Sequence, residues 1–227
     1  MLAPLAAVLL FLAAIVSAFW YLRLEEVDRE QEAVKRDVEY AQQRVRLRLL
    51  ERQEQLMRVA RDASNKEIDF DEFMGRAESL VSQYPELQAV TWIDDRRRIR
   101  ASYAAPSLNS NHLRIPGTVL RVGETESTYS LARDLQQPVY SQPLAGTDSS
   151  GLLQLHIPLA DQGRFAGVIL GEYSIDGLLR YGVPAEVSAK YAVALLDARN
   201  RVLAGASVPA RSPATSVLSF ASLPNEY

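Results

Sequence analysis

The chain has 227 residues, no cysteine, two histidines and a formal net charge of -3, and 48% of it is apolar. Without cysteine there is no disulfide framework. The nearly balanced charge gives no case for nucleic acid, and His112 and His156 sit in no metal-ligand cluster, so no nucleic acid, metal or cofactor is expected.

Leu2–Leu22 is an almost unbroken apolar run that ends at Arg23. About 20 apolar residues in a helix match a hydrocarbon layer of roughly 30 Å. The run is too long for a signal-peptide core, and no Lys or Arg precedes it. Val16-Ser17-Ala18 leads into Phe19-Trp20-Tyr21, an aromatic pattern suited to a membrane interface. Residues 1–23 are therefore expected to be a transmembrane helix, with the lipid bilayer as a partner, and 24–63 a stalk. Arg23, Arg29, Lys35 and Arg36 all follow the run, which by itself places the C-terminal side in the cytoplasm.

In the stalk, Val27, Val34, Val38, Ala41, Val45, Leu49, Leu56 and Val59 recur at helical spacing, with Arg and Glu between them. Two readings fit. Either Val34, Val38, Ala41, Val45 and Leu49 form the seam of a parallel homodimer, or the helix lies along its own domain. Arg48 and Arg52 interrupt a strict heptad. Ala63-Ser64-Asn65-Lys66 breaks the helix. Asp69 is the expected N-cap of a second helix over 70–83, with Glu72 closing a capping box and Pro85 ending it.

Strands are expected near 88–94, 98–103, 139–144, 152–159 and 165–173, with a loop over 104–117 and a short helix over 124–136. Asp94-Asp95-Arg96-Arg97 and Asp161-Gln162-Gly163-Arg164 are turns. A further short helix or turn spans 175–181. Ala89–Ala101 parallels Ala192–Ala204: each reads strand, polar turn at an Asp, strand. Residues 64–186 are accordingly read as one membrane-distal domain and 187–227 as the start of a truncated second.

The anchor, the stalk, the 70–83 helix and Val90-Thr91-Trp92-Ile93-Asp94 together resemble the periplasmic PAS-like (Cache/PDC) sensor region of bacterial membrane histidine kinases. Pro138-Val139-Tyr140-Ser141-Gln142-Pro143 resembles the family's third-strand entry. Leu155–Leu159, the Asp161–Arg164 turn and Phe165–Gly171 resemble its closing hairpin. The resemblance implies an α/β (α+β) fold: a five-stranded antiparallel sheet with a long N-terminal helix and a transmembrane helix. It also implies a dimer through the N-terminal helices, an inner-membrane location with the sensor in the periplasm, and sensing of a small ligand such as a carboxylate. The output would be a two-component histidine kinase. A diguanylate cyclase, a chemoreceptor, or an anchored structural protein without a ligand are the alternatives. Where the family often has glycine in the strand turn, this chain has Arg97 and Asn200.

Candidate ligand contacts are Trp92, Tyr103, Tyr129, Tyr140 and Tyr173 as aromatic lining, His156 as the in-sheet histidine, and Arg121 as a clamp for a carboxylate. No catalytic residue is expected, since Gly-x-Ser-x-Gly, P-loop and metal-triad motifs are all missing from the sequence.

Overall fold

The computed structural model describes residues 2–106, 114–120, 125–144, 151–197, 199 and 201–205, without the side chains of 2–10, 24, 27 and 125. Helix α1 runs unbroken over Leu2–Ser64. Among the described residues no helix is long and apolar enough to cross a membrane. From Arg23 onward α1 is charged. The expected transmembrane helix over 1–23 therefore does not stand. The lipid bilayer as a partner and the inner-membrane location with a single transmembrane helix rested on it and fall with it.

The rest is a PAS-like α+β unit. Helix α2, Phe70–Gln83, starts where Asp69 accepts the Glu72 N–H at 2.9 Å, and its last turn is closed by the Tyr84 N–H on Leu80. Strands β1 (Leu87–Asp94), β2 (Ile99–Ala104), β3 (Val139–Tyr140), β4 (Leu152–Asp161) and β5 (Arg164–Ser174) form an antiparallel sheet in the order β2-β1-β5-β4-β3. Helix α3 (Thr125–Leu135) lies between β2 and β3 in sequence. The strand expected over 139–144 is shorter, because Pro143 has no N–H to donate; Leu144 returns only as an isolated bridge to Leu152. After β5 come α4 (Ile175–Gly182) and a short α5 (Ala185–Lys190), which the sequence did not announce.

The apolar stripe of α1 packs on the chain itself. Val34, Ala41, Val45, Leu49, Leu56 and Val59 are buried, and a Cβ added to Gly182 would lie 3.1 Å from Val45. Leu56 fills the notch over Gly171 in β5, where an added Cβ would come within 2.7 Å of its Cδ1. Val38 is half-buried on the same helix. The stripe Val34–Leu49 thus faces this domain's α4, α5 and sheet, and is not a free surface.

The two repeated segments form hairpins of one design. Asp94 Oδ1 accepts the N–H groups of Arg96 and Arg98, at 3.0 and 2.8 Å. Asp197 Oδ1 does the same for Arg199 and Arg201, at 2.8 and 2.9 Å. Strands β6 (Ala194–Leu196) and β7 (Val202–Gly205) make a separate two-stranded sheet. Arg97 takes the left-handed conformation, φ +62, where glycine would be favoured. It is held by its N–H on Asp94 O and an ion pair with Glu126 at 2.6 Å.

Candidate functional site

Period-two alternation gives the sheet two faces of different character. The face toward α1 and α2 is apolar: Val90, Ala101, Leu153, Leu155, Ile157, Ile169 and Tyr173 belong to the main core. Two cross-strand rows on the opposite face are mixed. One reads Ser102–Thr91–Leu170–His156, the next Ala104–Ala89–Glu172–Gln154. Alanines stand on the β1/β2 side of Glu172, so little side-chain volume fills the surface beside its carboxylate. Tyr129 of α3 and Leu120 pack with Ile93, Ile99, Val168 and Leu170 as an apolar wall next to this polar end.

Glu172 is buried and takes donors from two directions. Arg114, on the connection between β2 and α3, forks onto it through Nε to Oε2 at 2.8 Å and Nη2 to Oε1 at 2.5 Å. Gln154 Nε2 donates to Oε1 at 2.8 Å. Burial alone pushes this carboxyl up, but the Arg114 hydrogen bonds and charge outweigh it and hold Glu172 below the usual carboxylate range. Gln154 is further fixed by Ser141, whose Oγ accepts its backbone N–H at 3.0 Å.

His156 has no exposed surface. Burial lowers its pKa to about 4, and the pull of Glu172 only partly offsets this. It is therefore neutral at pH 7 and carries one ring proton. Since the Gln154 amide nitrogen is committed to Glu172, its oxygen faces His156 Nε2, at 3.5 Å. That assigns the proton to Nε2 and leaves Nδ1 as an acceptor, and Nδ1 is buried without a partner among the described residues. A buried acceptor left unmade is costly, so among the described residues the cluster lacks one hydrogen-bond donor.

The depressed pKa has a stability consequence. Below the unfolded value of 6.5 the unfolded chain binds a proton that folded His156 refuses. Its contribution is full above that pH and is lost progressively down to about 4, at ~1.4 kcal/mol per unit and about 3 kcal/mol in all. Urea melts at pH 7.5 and pH 5 should show about 2 kcal/mol of this loss, and His156→Gln should flatten it.

Of the candidates read from sequence, His156 and Tyr129 come together, ring to ring at 6.4 Å and edge-on; the Tyr129 hydroxyl donates to Asp94 O at 2.9 Å. Burial pushes that phenol up to about 12. Trp92 lies on the other face against Phe70 and Phe73, at 4.8 and 5.5 Å. Tyr103 faces α2 and donates to Glu78. Tyr140 and Tyr173 are buried in the α1-side core. Arg121 and His112 lie outside the described residues. Arg114, Gln154 and Glu172 were missed. The alternation in β4 and β5 could have found the last two, since period two puts Gln154 on the face of His156 and Glu172 on the face opposite Tyr173. A groove of about 700 Å³ between α4, α5 and the β6–β7 hairpin is lined by none of the polar cluster and by none of the buried unpaired atoms. The unmet hydrogen-bonding capacity, not the size of the groove, marks the site.

No family model and no curated protein matches the sequence. Solved structures do match. The ligand-binding domain of the Campylobacter jejuni chemoreceptor Tlp3, in complex with 4-methylisoleucine, is 11% identical, covering 79% of this chain and 70% of that one, with a TM-score of 0.56. The ligand-binding domain of the Pseudomonas aeruginosa PAO1 amino acid chemoreceptor PctC, in complex with GABA, is 14% identical with a TM-score of 0.45. That match covers 63% of this chain and spans 60% of PctC's. An extracellular ligand-binding receptor from Desulfohalobium retbaense DSM5692 is 16% identical, covering 62% of this chain and 25% of its own, with a TM-score of 0.44. At these identities the Tlp3 match is a likeness of fold: this chain has the PAS-like fold of a bacterial ligand-binding sensor domain.

Proposed function

We propose that this chain is the ligand-sensing input module of a signalling receptor, and that it takes a small molecule bearing both an amino group and a carboxylate. One observation carries the reading: a buried, neutral histidine whose Nδ1 acceptor is unpaired among the described residues stands beside a buried Glu172 onto which the half-buried Arg114 forks. An ammonium supplies the missing donor to His156 Nδ1 and replaces Arg114 as the cation on Glu172. The released Arg114 guanidinium then meets the ligand carboxylate in bidentate geometry. The apolar wall of Ile93, Leu120, Val168 and Leu170 suits an aliphatic remainder. The amino-acid ligand of Tlp3 supports this chemistry, and its chemoreceptor role supports that kind of output over a histidine kinase.

The test is a thermal-shift panel followed by calorimetry, using L-isoleucine, L-alanine and 4-aminobutyrate against the matching simple carboxylates and amines. Zwitterions should raise Tm and the single-function analogues should not. Arg114→Ala and Glu172→Gln should each weaken binding by roughly ten- to a hundredfold, the cost of one charged hydrogen bond. Equal stabilisation by plain carboxylates, undiminished in Glu172→Gln, would contradict the reading.

A further inference from the structure

The mixed face of the sheet holds one polar pair that the histidine cluster does not use. Thr91 of β1 and Ser102 of β2 stand opposite each other, and their hydroxyls meet at 2.7 Å. Both lie on the face of His156 and Glu172, since Thr91 is two residues from Ile93 of the apolar wall. Thr91 has no exposed surface, while Ser102 is half-buried. Two hydroxyls bring two hydrogens, and the bond between them uses one. A buried hydrogen left unmade is costly, so Thr91 donates and Ser102 keeps the spare hydrogen. Among the described residues that hydrogen has no acceptor.

We infer that Ser102 selects the ligand's side chain and that the ligand is an amino acid ending in a neutral carboxamide, which rests on the zwitterion reading of the His156 cluster. Geometry sets the reach. Glu172 lies two strands from Ser102 and one row along. Strands about 4.8 Å apart and rows about 7 Å apart put the two Cα atoms roughly 12 Å from each other. Side chains stand nearly perpendicular to the sheet, so their tips keep about that separation. Hydrogen bonds of about 3 Å at each end leave roughly 6 Å. Glutamine covers this span, with about five bonds between its ammonium nitrogen and its amide oxygen; the threonine hydroxyl reaches roughly half as far. Burial sets the charge. Leu170 stands between Thr91 and His156, so a second carboxylate would be desolvated there with no counter-ion among the described residues. A carboxamide oxygen instead accepts the Ser102 hydrogen while its carbon stem lies on Leu170. Thr91 is a positioning residue, since it acts only by fixing the direction of the Ser102 hydroxyl.

Calorimetry on the full chain compares L-glutamine with L-norleucine, which has the same side-chain length and no oxygen. L-glutamine should bind at least about tenfold more tightly, because norleucine leaves the Ser102 hydrogen unmade. Ser102→Ala should shrink the glutamine-to-norleucine affinity ratio about tenfold. That variant strands the buried Thr91 hydroxyl and lowers Tm. Thr91→Val combined with Ser102→Ala removes both polar groups at nearly constant shape, so it should recover Tm while the ratio stays low. Variants that lower Tm but keep the wild-type ratio would show a purely structural pair and overturn the inference. Equal affinity for glutamine and norleucine in the wild-type chain would overturn it too and leave the zwitterion reading standing. If glutamine, norleucine, L-isoleucine and 4-aminobutyrate all fail to bind, the zwitterion reading falls and takes the inference with it.

Discussion

Glu86→Ala should cost about 3–5 kcal/mol of folding stability, the penalty for stranding buried charge. Glu86 has no exposed surface and sits where three parts of the chain meet. From α1, Arg48 Nε donates to Oε1 at 2.7 Å and Arg52 Nε at 3.3 Å. The Arg52 guanidinium also lies 3.5 Å over the Tyr84 ring. From the other side, the Glu86 carbonyl accepts the Ser174 N–H at the β5–α4 junction, and Gly177 packs so closely that a Cβ would touch the Glu86 backbone at 3.0 Å. Removing the carboxylate leaves Arg52 buried with Glu51, at 3.0 Å, as its one remaining carboxylate partner among the described residues. Glu86→Gln keeps the shape and an acceptor, so it should lose less than half as much. Paired urea melts of the two variants check the difference. Equal losses would mean that packing and not charge holds this junction.

Gly167→Val should destabilise by roughly 2–5 kcal/mol, combining backbone strain with overpacking. Gly167 adopts φ +132, a conformation that side-chain-bearing residues rarely take. A Cβ there would lie 2.0 Å from the Ile93 carbonyl oxygen and 2.8 Å from Asp94 Cα. Both are backbone atoms of β1, which pairs with β5 at this point, so neither can step aside. Gly163→Ala, also at positive φ but with open space around it, is the control and should cost far less. Thermal melts of the two variants give the comparison.

Both sites show what a sequence carries and what it leaves out. Helical spacing identified the α1 stripe, yet spacing alone does not say what covers it. Arg52, which looked like an interruption of a heptad, lies on the buried side of the helix because Glu86 waits there. Tyr40, Leu47, Leu50 and Met57 stay exposed on the same helix. Strand alternation separated Glu172 from Tyr173 but could not say which face was the apolar core; only the register of β4 on β5 does that. Arg114 had no signal at all. It lies in a connection without periodicity, and its partner is 58 residues away. The apolar run at the N-terminus was read as membrane-spanning from length and composition, whereas among the described residues no helix is long and apolar enough to cross a membrane.

The central claim is that His156 offers an unpaired Nδ1 acceptor to a ligand amino group. Nitrogen-15 NMR of the histidine side chains tests it most directly, with His112→Gln used to assign the two rings. The account predicts a neutral His156 protonated at Nε2 down to about pH 4, with an Nδ1 resonance typical of an unbonded acceptor. Adding the zwitterion that stabilises the chain most should move that Nδ1 resonance toward the hydrogen-bonded range. A proton found on Nδ1, or an Nδ1 resonance unchanged at saturating zwitterion, would contradict it.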